Sequence, residues 1–442
     1  MSESKSVPDV LSPPHPMFQP FSQMVLSSRY ESVLLFFLYL LIFNLSFSEA
    51  IKEISLGISV LMVIPWAILK SDHSYWRRFF RMTWPLWCFL SVSLLSALNS
   101  INLFQAMRGF WGDLMSIFGL LLFWSVLSFG KNPLQIASRS ILAIFSGVIA
   151  GGVVGVTLLA MKKIDFLGIM NLGDKNSTAQ FLSFFMILLI ICFFKRARLK
   201  LSPAVFILGF PLLILFILLC HSRAFLISLP VVAFAIFYLQ GSQKVFFKGL
   251  GVVFAVIMFL LAIPIVRGEI LTALAPGHDG SFISRYDAWK GAILMWKTHP
   301  LLGIGPDNFQ MKNIHRIYHL PDFASHGHNF FFNLLGEYGT LGVVFMILWL
   351  FLWGFYAFSQ ERRHLDPVFG KVLFVGVLIN LLMAGMAHPI WGGSGSLLLM
   401  LIMSLSLSSW QERGEESGKS HGLHDSGTPD IAFSKLERNP LI

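Results

Sequence analysis

Residues 325–342, SHGHNFFFNLLGEYGTLG, set His328 and Asn329 at the mouth of a long apolar run that also carries Gly339 and Gly342. An imidazole titrates near neutral pH, with an ordinary pKa of about 6.5. Where a loop meets a membrane, such a group is suited to take a proton from a hydroxyl. A helix starting there would favour the neutral imidazole and offer positive potential to an anion. His326 lies two residues earlier, and the pair invites a metal reading. No Cys is near, and Asp322 and Glu337 do not complete a known zinc spacing, so no metal and no cofactor are expected. A structural His at a helix start is the plain alternative.

Two arginines belong to the same chemistry. Arg223, in His221-Ser222-Arg223, falls between two apolar runs with barely a loop, at or just inside a membrane boundary. A guanidinium there is costly and tends to be functional; the alternative is a side chain that snorkels to lipid phosphates. Arg285 opens a segment in which Tyr286, Trp289, Ile293 and Trp296 recur at helical spacing. That aromatic face is suited to lying on a membrane interface, though an ordinary loop helix with a surface Arg has the same pattern. The following Pro300–Pro306 stretch contains Gly303 and Gly305. It reads as a tight turn, and less readily as a cradle of N–H groups for phosphate. His221, His388 and Asn176 also fall at the outer ends of apolar runs, with Asn176 placed to cap a helix.

Two arginines and a histidine at one membrane face suit a lipid-linked pyrophosphate. Arg meets phosphate oxygens by forked, charge-assisted hydrogen bonds, each worth about 1.5–3 kcal/mol. A sugar diphosphate leaves readily once its charge is neutralised. The remaining task is to deprotonate an incoming hydroxyl.

The elements that must hold these side chains are membrane helices. Of 442 residues, 55% are hydrophobic and 13% charged, against about 25% charged in soluble domains. The expected fold is an all-α polytopic membrane protein. Apolar runs near 33–51, 54–69, 84–98, 113–129, 140–160, 178–194, 204–220, 223–240, 245–265, 329–355, 371–390 and 392–409 suggest about 12 transmembrane helices. One large loop, 267–327, would contain short helices. The net charge of +10 does not indicate nucleic acid, because most Lys and Arg sit in short loops between apolar runs. Cys88, Cys192 and Cys220 show no paired spacing.

Alternate loops differ in basic charge. One set carries Arg77, Arg78 and Arg81, then Lys195, Arg196 and Arg198, then Lys244 and Arg362; the other carries fewer. The richer set should be cytoplasmic. That puts a Ser- and Pro-rich segment, 1–30, and a polar disordered tail, 411–442, inside the cell, flanking a membrane domain of 31–410. The 267–327 loop is then periplasmic. A secondary transporter would place ionisable groups near the membrane midplane; here they gather at the outer face.

The chain resembles the O-antigen ligase family, which shares a fold with the Wzy-type O-antigen polymerases. The family pattern is His, then Asn, Ser or Gln, then nine residues, then Gly-x-x-Gly; His328, Asn329, Gly339 and Gly342 match it. Arg223, Arg285 and the Pro300, Gly303, Gly305 segment also match, so the motifs cover roughly residues 170–350. The resemblance implies an inverting glycosyltransferase of the bacterial inner membrane that needs no metal or nucleotide sugar. Its donor would be a polysaccharide on undecaprenyl pyrophosphate, and its acceptor a hydroxyl of lipid A–core. It implies that Arg223 and Arg285 hold the pyrophosphate and that His328 is the base; His326 lies outside the pattern. A polymerase of the same fold is the nearest rival, followed by a protein O-oligosaccharyltransferase.

The charge asymmetry predicts the topology. In a chain whose three native cysteines are replaced, Gln310→Cys should react with an impermeant maleimide in intact spheroplasts, and Ser417→Cys should not. The opposite labelling would reverse the orientation.

Overall fold

The computed structural model describes residues 23–169, 175–240, 243–262, 264, 267–268, 280–318, 326–359, 367–383, 385 and 393–407. Most of the expected terminal segments, and His388, lie outside the described residues.

The described elements are all helices: α1 Ser28–Asn44, α2 Glu49–Lys70, α3 His73–Leu98, α4 Leu103–Phe129, α5 Pro133–Ala160, α6 Lys175–Phe194, α7 Arg196–Leu199, α8 Pro203–Leu219, α9 Arg223–Leu239, α10 Gln243–Ala262, α11 Gly280–Thr298, α12 Lys312–Ile317, α13 Phe330–Ser359, α14 Pro367–Met383 and α15 Gly393–Leu407. The described part of each apolar run is largely helical, and the run near 33–51 is divided between α1 and α2. A chain segment in hydrocarbon must satisfy its own backbone groups, and a helix does so within the segment. Five helices, α2, α4, α5, α6 and α13, are long and apolar enough to cross a membrane, while α8, α9, α14 and α15 are apolar but shorter. The protein is an α-helical polytopic membrane protein; among the described residues, length and composition alone support five crossings.

The first apolar run is shorter than expected. Ser48 accepts a hydrogen bond from Ile51 N–H and starts α2 at Glu49, so α1 ends at Asn44. The capping serine, in extended backbone, outweighs the continuous hydrophobicity around it.

Polar contacts sort the helix ends. At one end the buried Glu31 of α1 accepts from Lys70 Nζ at the end of α2 (3.4 Å) and from Lys131 N–H between α4 and α5 (2.9 Å). At the other end, the starts of α2, α4 and α13 meet residues 305–310 around a shared cavity. The loop preceding α13 has a small core of its own, in which Ala288, Ala292, Met295, Ile304, Phe309, Ile314 and Tyr318 are buried.

That loop is fastened to α13 through a break in the helix. Gly339 has φ 65° and ψ −164°, which interrupts the α-helical hydrogen bonding. The Pro300–Gly305 segment takes over the groups set free. Ile304 and Gly305 N–H donate to the carbonyls of Gly336 and Glu337 (3.0 Å each), and Thr340 and Leu341 N–H donate to those of Pro300 (2.9 Å) and Leu301 (3.2 Å). The two backbones are so close that a Cβ on Gly339 would stand 2.5 Å from the Leu301 carbonyl, and one on Gly303 would overlap the backbone of Glu337. Gly303 and Gly339, one from each motif, therefore form one interlocking contact, while Gly342 leaves room for Tyr338.

Gly339→Ala should lower the melting temperature in detergent markedly, since that backbone region costs a non-glycine residue about 1–3 kcal/mol before any overlap. Gly57→Ala, at a position with nothing within 4 Å, is the control and should leave melting unchanged or raise it. Equal melting of Gly339→Ala and wild type would show that the interlock carries no stability.

Candidate active site

Asn329 is the cap of α13. Its Oδ1 accepts from Phe331 N–H (2.8 Å) and Phe332 N–H (3.1 Å). The helix-end potential beside His328 remains, but these two donors are spent on a side chain and are closed to an anion. His328 has left-handed backbone, φ 45°. Its N–H donates to His326 Nδ1 (3.2 Å), and the two rings lie 4.3 Å apart, nearly perpendicular. The turn is tied down by Gly327 N–H, which donates to Asn333 Oδ1 (2.9 Å). His326 is thus part of the scaffold that shapes the His328 turn, a role that sequence spacing left open.

α11 lies against α13 and runs parallel to it. Trp289 stacks on Phe332 (5.5 Å), Ala292 faces Gly336, and Trp296 Nε1–H donates to Thr340 Oγ1 (2.9 Å). Each step of three or four residues on one helix matches four on the other. Extending that register by one turn sets Arg285 level with His328. Arg285 lies in the second turn of α11, not at its start, because the helix begins at Gly280. The expected interfacial aromatic face is also different: Trp289 and Trp296 dock onto α13, and Tyr286 stays exposed with Lys290 Nζ 4.1 Å from its ring. Helical periodicity identified the face but not its partner.

Arg223 starts α9. α9 runs antiparallel to α14: Gly376 faces Val232 and Ile236, and one turn on, Ser228 Oγ donates to Asn380 Oδ1 (3.3 Å). The same progression brings the start of α9 level with Gly385, which faces Phe330 at the head of α13. Arg223, Arg285 and His328 therefore share one layer at one end of the bundle, with α14 between α9 and α13. The preceding Ser222 Oγ donates to Asn176 Oδ1 (2.9 Å). Asn176 is the second residue of α6, so this bond links two helix starts. His221 is exposed with left-handed backbone.

Next to this layer lies a cavity of about 800 Å³ whose lining includes Lys52, Arg108, Asp113, Asp307, His326 and Glu337. Apart from His326, none was singled out by motif. The signal was present in Asp113 and Glu337, which are carboxylates inside apolar helices, a costly placement. Glu337 is the hub: Oε1 accepts from Phe309 N–H (3.1 Å), Oε2 from Asn333 Nδ2 (3.0 Å), and its carbonyl from Ser96 Oγ (2.9 Å). Asp113 accepts from Ser93 Oγ (2.5 Å) and Tyr338 OH (3.1 Å). On the loop, burial raises the Asp307 carboxyl above its ordinary range, against the hydrogen bond from Gln105 and the charge of Arg108, which lower it. A separate apolar groove of about 770 Å³ runs between α13 and α14, from Phe331 past Phe351 and Phe355 to Phe358.

Residues 208–347 match the sequence model of a family described as O-antigen ligase. The matched region contains Arg223, Arg285, Gly303, Gly305, His328, Asn329, Gly339 and Gly342, and it bears out the resemblance read from those residues. No curated protein matches the chain. The match supports a function of the O-antigen ligase or polymerase type, a glycosyltransferase-like chemistry with a lipid-linked polysaccharide and a lipid acceptor in general.

Loss of the cap should be measurable by itself. Asn329→Ala should cost about 1 kcal/mol of stability, and Asn329→Ser should keep most of it, as read by thermal unfolding in detergent. If alanine and serine behave alike, the cap is not what selects this residue.

Proposed function

We propose that this protein is an O-antigen ligase. It transfers a polysaccharide from undecaprenyl pyrophosphate to a hydroxyl of lipid A–core at the periplasmic face of the inner membrane. The observation that supports this most is the parallel docking of α11 on α13, whose register sets Arg285 level with His328.

Arg223 and Arg285 bind the pyrophosphate and neutralise it as a leaving group. Their guanidiniums supply the charge that a divalent cation would otherwise provide, so the reaction is metal-independent. His328 takes the proton of the acceptor hydroxyl. The oxygen attacks the anomeric carbon from the face opposite the leaving group, the bond to the pyrophosphate oxygen breaks, and the configuration inverts. The proton on His328 passes to solvent, and undecaprenyl pyrophosphate departs. The apolar groove that begins at Phe331, three residues from His328, suits the polyprenyl chain of the donor: it is lined by aromatic rings and runs on to Phe358 near the far end of α13.

Transfer is measured with the purified enzyme, lipid-linked donor and lipid A–core. His328→Ala should bind donor and lose about 10²–10⁴ in turnover. His326→Ala should keep substantial activity. Arg223→Lys and Arg285→Lys should weaken donor binding, and the alanine variants more so, since lysine keeps charge but loses the planar fork. A chelator should leave activity intact. Wild-type turnover in His328→Ala, or activity abolished by chelation and restored by zinc, would overturn the mechanism.

A further inference from the structure

The 800 Å³ cavity has no role in pyrophosphate binding as described, and its chemistry is unsuited to one. Its lining brings together the carboxylates of Glu49, Glu53, Asp113, Asp307 and Glu337, against only two cations, Lys52 and Arg108. Lys52 is fully buried and already engaged, with its Nζ 2.6 Å from Glu49 and 3.2 Å from Glu53. Carboxyl groups outnumber cations in this lining, so a second anion would find little compensating charge there. A neutral sugar is in the opposite position. Its hydroxyls donate to carboxylates and accept from a guanidinium or an amide, and such groups are present in Arg108, Gln310 and Asn333. Trp111 adds an aromatic plane: it lines the cavity and is 56% exposed. The C–H face of a sugar ring can cover such a plane and remove apolar surface from water.

The cavity also ends in the right place. His326 is in its wall, and His326 is the residue whose Nδ1 holds the His328 N–H. We infer that this cavity is the acceptor subsite, which seats the neutral, hydroxyl-rich sugar presenting the attacking hydroxyl, with Trp111 as its stacking platform and Asp307 as a hydroxyl acceptor. The inference rests on the transferase reading above. It divides the two substrates by charge: the phosphorylated donor on the arginine side of His328, and the uncharged sugar on the carboxylate side. Its specificity follows, because a phosphate or carboxylate on that sugar would find in the lining no Lys or Arg beyond Arg108 and the Glu-paired Lys52.

The test compares Trp111→Ala, Trp111→Phe and Asp307→Asn with wild type. Transfer is titrated separately in donor and in acceptor. Binding of a phosphate-free core oligosaccharide is measured directly, without donor. Trp111→Ala should raise the acceptor KM and the oligosaccharide Kd by roughly tenfold, with donor KM unchanged, and Trp111→Phe should recover most of the loss. Asp307→Asn should raise the acceptor KM with little effect on the donor, and it decides the matter if Trp111→Ala folds poorly. A rise in donor KM instead, or unchanged acceptor binding in these variants, would overturn the assignment. If wild type binds the oligosaccharide through Trp111 yet transfers nothing from a lipid-linked donor, the subsite stands and the ligase reading falls. If His328→Ala abolishes transfer while Trp111 and Asp307 variants bind acceptor normally, the reverse holds.

Discussion

A helix that crosses a membrane has no water to satisfy broken backbone hydrogen bonds, and α13 breaks its own at Gly339. The carbonyls and N–H groups set free there must find partners in the protein. They find them in Pro300–Gly305, which forms four backbone hydrogen bonds across the break. Much of the described end of the bundle that holds the cavity follows from this contact. It fixes Asp307, Asn308 and Phe309 above α4, and Phe309 N–H then meets Glu337. Glu337 in turn holds Asn333, which holds Gly327 and the turn carrying His328. A backbone constraint ten residues into a helix thus reaches the catalytic candidate at its start.

The arrangement also separates electrostatic environments over a short distance. Arg223 and Arg285 come from α9 and α11, whereas the cavity's carboxyl groups, with Lys52 and Arg108 among them, come from α2, α4, the loop and α13. The two histidines stand between these regions. In the proposed reaction, a base in that position would have the anionic donor on one side and a wall of carboxyl groups on the other. Its backbone is held by a neighbouring imidazole rather than by a charged group, so the holding contact adds no formal charge to either side.

The parts legible in the sequence are those where a polar residue ends an apolar run. His328, Asn329, Arg223 and Arg285 stand out because hydrocarbon penalises their types, and the helices themselves follow from the apolar runs. The role of Gly303, Gly305, Gly339 and Gly342 was not legible. Gly303 and Gly339 serve hydrogen bonds that run between motifs more than thirty residues apart, and Gly342 makes room for a side chain of its own helix, Tyr338. Lys52, Arg108, Asp113 and Asp307 did not stand out, because a cavity is formed by several helices and leaves no local pattern. The stripe of Trp289 and Trp296 was visible as a face, yet nothing local could tell whether lipid or α13 would cover it.

The pairing of Pro300–Gly305 with residues 336–341 has a consequence for biogenesis. The earlier strand of the contact leaves the ribosome before its partner exists. Until α13 has been synthesised and inserted, the loop lacks the acceptors for Ile304 and Gly305 and the surface on which α11 docks. The His328 turn, its cap and the carboxylate cavity therefore come together only at that late stage. A chain truncated before α13 would carry both arginines without the His328 turn, and insertion of that one helix would complete the candidate site.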